Sequence, residues 1–141
     1  MLEIRSFQQS DAEHVVDLWK CCGLITETND PRSDIRRKLR VNPEWFLVGL
    51  VDDRLVATCM AGYEGHRGWI NYLAVAPGHR RRGYAGRLME AAERRLKAAG
   101  CPKINLQVRE TNVDVIQFYQ SIGYVQDRVV SLGKRLIEDN E

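Results

Sequence analysis

The chain has 141 residues, of which 44% are hydrophobic and 28% are charged, and its formal net charge at pH 7 is +2. These values are those of an ordinary soluble globular domain, which buries roughly two-thirds of its unfolded surface in one core. A net charge this small excludes the strongly basic balance of a nucleic-acid-binding protein. We therefore expect a single domain over residues 1–141.

Targeting and cysteine patterns favour the cytoplasm. No apolar run approaches the roughly 20 residues that span a membrane, and the N-terminus lacks a signal-peptide pattern. Cys21, Cys22, Cys59 and Cys101 show neither Cys-x-x-Cys spacing nor the pairing of a secreted scaffold. Their spacing does not suit a zinc site either. We expect a cytoplasmic protein with free thiols, no metal and no membrane contact.

The first part of the chain predicts one strand and two helices. Residues 2–6 alternate apolar and polar side chains, as in a half-buried strand. Ser10-x-x-Glu13 is the pattern of a capping box and predicts that a helix begins there. Asp30-Pro31 predicts the cap and first position of a second helix, which extends to about Arg40.

The remainder predicts a meander, two helices and a hairpin. Three apolar segments form an antiparallel meander, with Asp52-Asp53 as the first turn: residues 45–51, 55–63 and 69–76. A helix over residues 84–99 follows, then a strand from Ile104 to Val108 and a helix that begins at Asn112. Residues 124–126 and 129–136 fit a final hairpin.

A compact basic turn joins the meander to the helix that begins at Tyr84, and it reads Arg80-Arg81-Arg82-Gly83-Tyr84-Ala85-Gly86. The first amides of a helix have no partner within it and the helix dipole is positive there, so this turn suits a phosphate. Gly83 and Gly86 let a ligand approach the main chain, and the arginines add bidentate donors. A solvated arginine-rich turn is the plainer alternative.

Two well-known phosphate loops are excluded. The nucleotide-triphosphate loop ends in Gly-Lys-Ser/Thr, and no lysine in this chain precedes serine or threonine. The dinucleotide fingerprint Gly-x-Gly-x-x-Gly is not supplied by residues 83–86. Arg80-x-x-Gly83-x-Ala85 instead resembles the Gln/Arg-x-x-Gly-x-Gly/Ala signature of the GNAT N-acetyltransferases.

Three further segments resemble this family in the same order, so the resemblance covers essentially the whole chain. They are Leu2-Glu3-Ile4-Arg5 with Ser10-Asp11-Ala12-Glu13, then Tyr72-Leu73-Ala74-Val75-Ala76-Pro77, then Asn112 with Phe118-Tyr119-Gln120-Ser121-Ile122-Gly123-Tyr124. The resemblance implies an α/β (α+β) GNAT acyl-CoA N-acyltransferase fold. Its sheet is mixed, mostly antiparallel and splayed, and about four helices flank it.

The resemblance also implies acetyl-coenzyme A as co-substrate. In the family the turn amides hold its pyrophosphate, and its pantetheine arm pairs with a strand that a bulge separates from its neighbour. The residues implied to bind it are Leu73, Ala74, Val75, Arg80, Arg81, Arg82, Gly83, Tyr84, Ala85, Gly86, Asn112 and Tyr119.

The implied reaction is direct transfer of an acetyl group to an amine. Tyr119 is the candidate acid for the leaving thiolate, because a phenol with a pKa near 10 stays protonated at neutral pH. A core aromatic on an amphipathic helix is the alternative. A backbone N–H near Val75 is expected to meet the oxyanion.

The general base is left open by the sequence. Many relatives carry a glutamate early in the fourth strand, where this chain has residues 69–71, Trp-Ile-Asn. Glu64 is the candidate, and His66, Glu110 or a water molecule are the alternatives. A surface turn explains Glu64 and His66 equally well.

The acceptor amine is expected on the opposite side of the splay, over residues 24–34. Asn29, Asp30 and Asp34, with His66, are the predicted substrate-binding residues, although Asp30 is also explained as a helix cap. Residues 29–39, 65–68 and 131–136 resemble a bacterial subgroup of the family, and that likeness supplies no substrate. A small molecule and a peptide both fit, and an exposed final strand would make a homodimer unsurprising.

Two other functions are weighed against the enzyme. A non-catalytic acyl-coenzyme A sensor or interaction module is suggested by the missing fourth-strand carboxylate, but a pure binder has less need of Tyr119. A nucleic-acid surface over residues 36–38 and 80–82 lacks interleaved aromatic residues and a recognition motif. We therefore expect an amine substrate and no nucleic-acid partner.

Overall fold

The computed structural model describes residues 1–139 of the chain. Its strands and helices are β1 (Glu3–Ser6), α1 (Ala12–Cys21), α2 (Pro31–Lys38), β2 (Phe46–Val51), β3 (Arg54–Tyr63), β4 (Gly68–Val75), α3 (Tyr84–Ala98), β5 (Ile104–Asn105) and α4 (Val113–Ser121). Within these residues the five strands form one sheet in the order β1-β2-β3-β4-β5. The first four strands are antiparallel to their neighbours, and β5 is parallel to β4. The predicted fold class is confirmed.

The core lies on both faces of the sheet. One face packs against α1 and α2, and its buried residues include Trp19, Ile35, Phe46, Val48 and Met60. The other face packs against α3 and α4, and its buried residues include Leu47, Cys59, Leu88, Leu96 and Tyr119. Because successive side chains of a strand point to opposite faces, β2 and β3 contribute to both halves of the core.

Two local predictions are confirmed by backbone geometry. The Asp30 carboxylate accepts a hydrogen bond from the Arg32 amide at 3.2 Å, and Pro31 is the first residue of α2. Asp52 and Asp53 connect β2 to β3 with φ angles of 49° and 63°. Two consecutive left-handed residues are typical of the type I′ hairpin turn, and aspartate tolerates that conformation better than most residues.

The capping box predicted for Ser10-x-x-Glu13 is wrong. Asp11 takes over the start of the helix: its carboxylate accepts from the Gln8 amide at 2.8 Å and pairs with Arg5 through bonds of 2.8 and 3.0 Å. These contacts hold a short 3-10 turn ahead of α1 and lower the pKa of Asp11. Glu13 points away and pairs with Arg32 at 2.9 Å.

The final hairpin predicted for residues 124–126 and 129–136 is also wrong, since residues 122–139 contain no strand. The side chains of Val130, Leu132 and Leu136 are 84%, 90% and 85% exposed. A strand requires an edge to pair with, and β5 offers only two residues instead of the five predicted. Residues 125–139, here called the C-terminal segment, therefore lie outside the sheet.

Polar contacts hold the C-terminal segment to the rest of the molecule. Asp127 pairs with Lys103 at 2.9 Å, and Gln107 donates to the Ser131 hydroxyl at 2.5 Å. Asp139 pairs with Arg37 of α2 through bonds of 2.5 and 3.0 Å. The segment therefore runs from the β5 side of the sheet to the α2 side.

None of the helices in residues 1–139 has the length and apolar character needed to cross a membrane. The four cysteines of these residues are free thiols. No group of three or more His, Cys, Asp and Glu side chains among the same residues is placed to hold a metal.

Candidate functional site

The strands β4 and β5 part after two paired residues, Gly68 with Ile104 and Trp69 with Asn105. Between them and the end of β4 lies a bulge: Met60 of β3 faces Asn71, and Thr58 faces Ala74. Two steps along β3 thus match three along β4. Tyr72 lies in this extra step with a φ of 52°, which is uncommon for a bulky residue. The expected splay with a bulge is confirmed.

The bulge reverses the direction of the side chains along β4. Ile70, before it, packs on the α3 face, whereas Ala74, after it, packs on the α1 face. The main-chain N–H and C=O groups change sides at the same point, because the bulge adds one residue to β4. The Ala76 amide donates to the Val56 carbonyl at 2.8 Å, so the main chain of Ala76 faces β3. Because these groups alternate along a strand, the main-chain N–H and C=O of Leu73 and Val75 point away from β3 and into the gap. The Val75 carbonyl already accepts from Arg80 Nε at 3.0 Å, so the groups left for a ligand are the main chain of Leu73 and the Val75 amide.

The N-terminus of α3 opens beside this gap. Gly83 is its cap residue, with a φ of 78°, and the first helical bond runs from the Arg87 amide to the Gly83 carbonyl at 3.1 Å. No side chain of residues 1–139 caps the helix. The amides of residues 83–86 consequently have no acceptor within the described chain, and a Cβ added at Gly83 or Gly86 would meet nothing within 4 Å. The helix presents four free donors in open space.

The three arginines of the turn differ in their contacts. Arg80 Nε donates to the Val75 carbonyl at 3.0 Å, and its Nη2 lies 3.6 Å from Cys22 Sγ. Arg80 therefore ties the turn to the end of β4. Arg81 and Arg82 are exposed and form no ion pair with the described residues. These two supply the uncommitted positive charge beside the α3 amides.

Asn112 is explained in part by the helix that it begins. Its Oδ1 accepts a hydrogen bond from the Val115 amide at 3.4 Å, which caps α4. Its side-chain nitrogen, Nδ2, has no partner among the described residues. The side chain thus keeps one donor for a ligand beyond its capping role.

Tyr119 of α4 is 8% exposed and lines an open cavity of about 1940 Å³ between α4, residues 104–110 and the C-terminal segment. Burial raises its pKa, with a smaller contribution from Cys59, so its hydroxyl stays protonated. No described residue hydrogen-bonds to that hydroxyl. The neighbouring Tyr124 differs, because its hydroxyl donates to Glu93 at 2.7 Å. Tyr119 is the tyrosine of this pair with a free proton donor.

Glu64 and His66 lie in the turn between β3 and β4. The Glu64 carboxylate accepts from the amides of Arg67 and His66, and these bonds lower its pKa. The turn meets β4 at Gly68, and the bulge is four residues further on, about 13 Å at the rise of an extended strand. Both findings disfavour Glu64 as a general base acting at the bulge. Glu110, by contrast, lines the same cavity as Tyr119.

The predicted acceptor residues Asn29 and Asp34 meet at the bulge. The Tyr72 hydroxyl donates to Asp34 at 2.6 Å and accepts from the Asn29 amide at 2.6 Å. Burial and then this bond to Asp34 raise the pKa of Tyr72. Asp30 lies next to this cluster with its carboxylate occupied by the α2 cap. His66 is not brought to it.

The side chain of Tyr72 is the member that sequence reasoning missed. The sequence predicts Tyr72 in a strand, through its main chain, and a regular strand does not single out the phenol of one residue. The signal available was chemical: a tyrosine directly before three residues that are predicted to bind the co-substrate.

Comparison with known proteins places this site in context. The profile described as the acetyltransferase (GNAT) family matches residues 12–124. An acetyltransferase of Sodalis glossinidius is 50% identical over 141 residues, with 99% of each chain covered.

Two solved structures extend the comparison to the fold. Ard1 from Thermoplasma volcanium has a TM-score of 0.79 and 27% identity, with 88% of this chain and 82% of that chain covered. The aminoglycoside acetyltransferase AAC(6')-Iy, solved with the bisubstrate analogue CoA-S-monomethyl-acetylneamine, has a TM-score of 0.78. At 20% identity, with 96% and 99% of the two chains covered, this second likeness shows the fold alone.

Proposed function

The chain belongs to the acetyltransferase (GNAT) family, and from that premise we propose that it transfers an acetyl group from acetyl-coenzyme A to a primary amine, by direct attack within a ternary complex. The observation that carries the proposal is the open N-terminus of α3 beside the splayed end of β4. The family membership makes the chain an acetyltransferase, and the arrangement of its site supports the particular reaction.

The residues fit a diphosphate with a pantetheine arm. Four unpartnered amides at residues 83–86 and the charges of Arg81 and Arg82 suit the diphosphate. The main-chain groups of Leu73 face the gap, where a pantetheine amide can pair as a strand edge would. When bound, acetyl-coenzyme A supplies the activated acetyl group as a thioester.

Tyr119 serves as the acid in this proposal. Its phenol stays protonated and has no hydrogen-bond partner among the described residues, and Tyr119 lines the cavity next to residues 104–110, so it can donate a proton to the thiolate that leaves. A backbone amide of β4 near the bulge stabilises the oxyanion, because a main-chain donor fixed by the fold requires no reorganisation.

The amine proton leaves by way of water. Glu64 is occupied by two amides and has a lowered pKa, which makes it a weaker base than an ordinary glutamate. Glu110 lines the same cavity as Tyr119, which supports it over Glu64 as the carboxylate that receives that proton from water.

The acceptor enters from the α2 side in this proposal, next to Asn29, Asp34 and Tyr72. Hydrogen-bonding groups held at 2.6 Å in a half-buried cluster suit the recognition of an amine or its neighbouring hydroxyls. Small amines and peptide N-termini are both to be tried as acceptors.

Two measurements test the function. Isothermal titration calorimetry with coenzyme A is expected to detect binding, and replacement of Gly86 by Val is expected to weaken it because the side chain would fill the space above the amides. Thiol release from acetyl-coenzyme A across a library of amines is expected to identify an acceptor. No binding of coenzyme A to the wild-type chain would contradict the proposal.

The same assays distinguish the alternative hypothesis of a non-catalytic acyl-coenzyme A sensor. That hypothesis predicts that coenzyme A binds and that no amine causes thiol release. The homodimer stays a prediction, which sedimentation of the purified chain tests.

A further inference from the structure

A chain of buried hydrogen bonds links α1 to the bulge of β4. The indole N–H of Trp19 donates to the Thr58 hydroxyl at 2.9 Å, and that hydroxyl donates to the Tyr72 carbonyl at 2.9 Å. Trp19 and Thr58 are both 0% exposed. Buried polar side chains are uncommon in a core of this kind, and Thr58 faces no solvent that would replace its partners.

Tyr72 is held at three points by its surroundings. Its carbonyl accepts from Thr58, its ring stacks on Trp19 with centroids 3.7 Å apart and planes 13° apart, and its hydroxyl donates to Asp34. A bulky residue with a φ of 52° is strained, and such a conformation persists where the surrounding structure over-determines it. The contacts to Thr58 and Trp19 are therefore those that maintain the bulge.

The direction of the Leu73 main chain depends on this bulge. Before the bulge, the Gly68 amide donates to the carbonyl of Lys103, the residue that precedes β5. The main-chain groups of the even-numbered residues therefore face β5 in this part of β4. After it, Ala76 faces β3 and the odd-numbered Leu73 and Val75 face the gap. If the bulge relaxed into a regular pair, one half of β4 would present its groups to the wrong side.

We infer that Thr58 and Trp19 are positioning residues of the acetyl-transfer site, which hold the Tyr72 bulge so that the main chain of Leu73 faces the gap that the pantetheine arm of the co-substrate would enter. The inference rests on the proposed function for the identity of that ligand. Neither side chain touches the gap itself. Trp19 fixes the rotamer of the Thr58 hydroxyl, and Thr58 fixes the Tyr72 carbonyl.

The experiment compares Thr58→Val, which keeps the shape and removes the hydroxyl, with Thr58→Ser, which keeps the hydroxyl. Val48→Ala is the matched control, because Val48 lies opposite Thr58 in β2 and is equally buried but makes no bond to the bulge. The dissociation constant of coenzyme A is measured by calorimetry without any amine. Amide resonances of residues 71–75 report the bulge directly.

Thr58→Val is expected to weaken coenzyme A binding by about two- to tenfold, the range that loss of one hydrogen bond produces. It is also expected to shift the Leu73 amide resonance. Thr58→Ser is expected to restore both, and Val48→Ala to lower the melting temperature with neither change. Equal coenzyme A affinity in Thr58→Val and the wild type, with unshifted Leu73, would overturn the inference.

Trp19→Phe provides a second route if Thr58→Val does not fold. It keeps a ring to stack on Tyr72 and removes the indole N–H that orients Thr58. A coenzyme A affinity at least twofold weaker supports the inference, and an unchanged affinity overturns it. Because the amide resonances are recorded without ligand, a wild-type chain that binds no coenzyme A would refute the proposed function while the bulge is still tested.

Discussion

At the scale of single residues, a side chain can donate a proton to a ligand only if its hydrogen-bonding groups are not already bonded within the protein. Tyr119 and Tyr124 are neighbours with ring centroids 5.6 Å apart, yet one hydroxyl is free and the other is bonded to Glu93. Sequence motifs predicted Tyr119 as the acid but contained no information on its neighbour's partner. A free donor next to an engaged one gives a matched pair for mutation.

Tyr119→Phe is expected to lower kcat by about 100-fold, the lower end for general acid catalysis because a thiolate is already a good leaving group. The dissociation constant of coenzyme A is expected to stay within twofold of wild type, since burial of the ring is kept. Steady-state thiol release measures kcat, and calorimetry measures the dissociation constant of coenzyme A. Tyr124→Phe, the control, is expected to lower stability and leave kcat nearly unchanged; equal kcat values in the two variants would remove Tyr119 from the mechanism.

Glu64→Gln is expected to leave the pH profile of kcat/KM in place. The Glu64 carboxylate has a pKa below its usual value because it accepts from two backbone amides, so it is ionised across the assay range. Its folded pKa is depressed, so its contribution to stability is present above the unfolded pKa and is lost as pH falls through the folded value. A profile whose acidic limb disappears in Glu64→Gln would restore Glu64 as the base, because the acidic limb reports the group that must lose its proton.

At the scale of elements, the sequence predicts what is local and misses what depends on a partner strand. The Asp30-Pro31 start of α2 and the Asp52-Asp53 turn depend on residues in immediate sequence contact, and both were correct. The final hairpin depends on an edge that β5 does not extend far enough to provide. The Asp11 start was missed because its partner, Arg5, belongs to a strand.

Gly68 shows how tightly β4 and β5 meet before they part. A Cβ placed on it would lie 2.8 Å from Cys101 Sγ and 3.2 Å from side-chain atoms of Ile104 and Leu96. Gly68→Ala is therefore expected to destabilise the fold by about 1–3 kcal/mol through overpacking. Urea unfolding measures this.

Gly78→Ala is the control for Gly68→Ala, because a Cβ at Gly78 would meet nothing within 4 Å. It is expected to change the unfolding free energy by less than about 0.5 kcal/mol. If both glycine variants unfold at the wild-type urea concentration, the close approach of β4 to β5 is not as described.

At the scale of the whole molecule, the proposed ligand site lies beside the bulge of β4, where the side chains of that strand change face. Ile70, before the bulge, packs in the α3 half of the core, whereas Tyr72 and Ala74 pack in the α1 half, so the even-numbered side chains of β4 change face at the bulge. The sequence predicted the strands and the turn that flank this bulge. It did not predict the reversal at Tyr72, because apolar residues occur on both sides of the bulge and alternation alone cannot assign them to a face.

The C-terminal segment reaches α2 through its last described residue, Asp139. Asp139 is nearly covered, with 4% of its side chain exposed, and its bond to Arg37 is the main cause that lowers its pKa to about 2. A depressed carboxylate stabilises the folded arrangement above its unfolded pKa of 3.8 and loses that effect as pH falls toward 2. The end of the segment is therefore expected to detach from α2 in this acidic window.

Asp139→Asn is expected to reproduce the detachment at neutral pH, because an amide keeps the size but removes the charge that pairs with Arg37. Trypsin should then cleave after Lys134 and Arg135 severalfold faster, since proteolysis follows the population of the detached state when reclosing is fast. Asp127→Asn is the control: its pair with Lys103 is about half exposed and contributes little. If trypsin cleaves the Asp139 and Asp127 variants at the same rate, Arg37 does not tether the segment, and the route of the chain from β5 to α2 must be held by its other contacts.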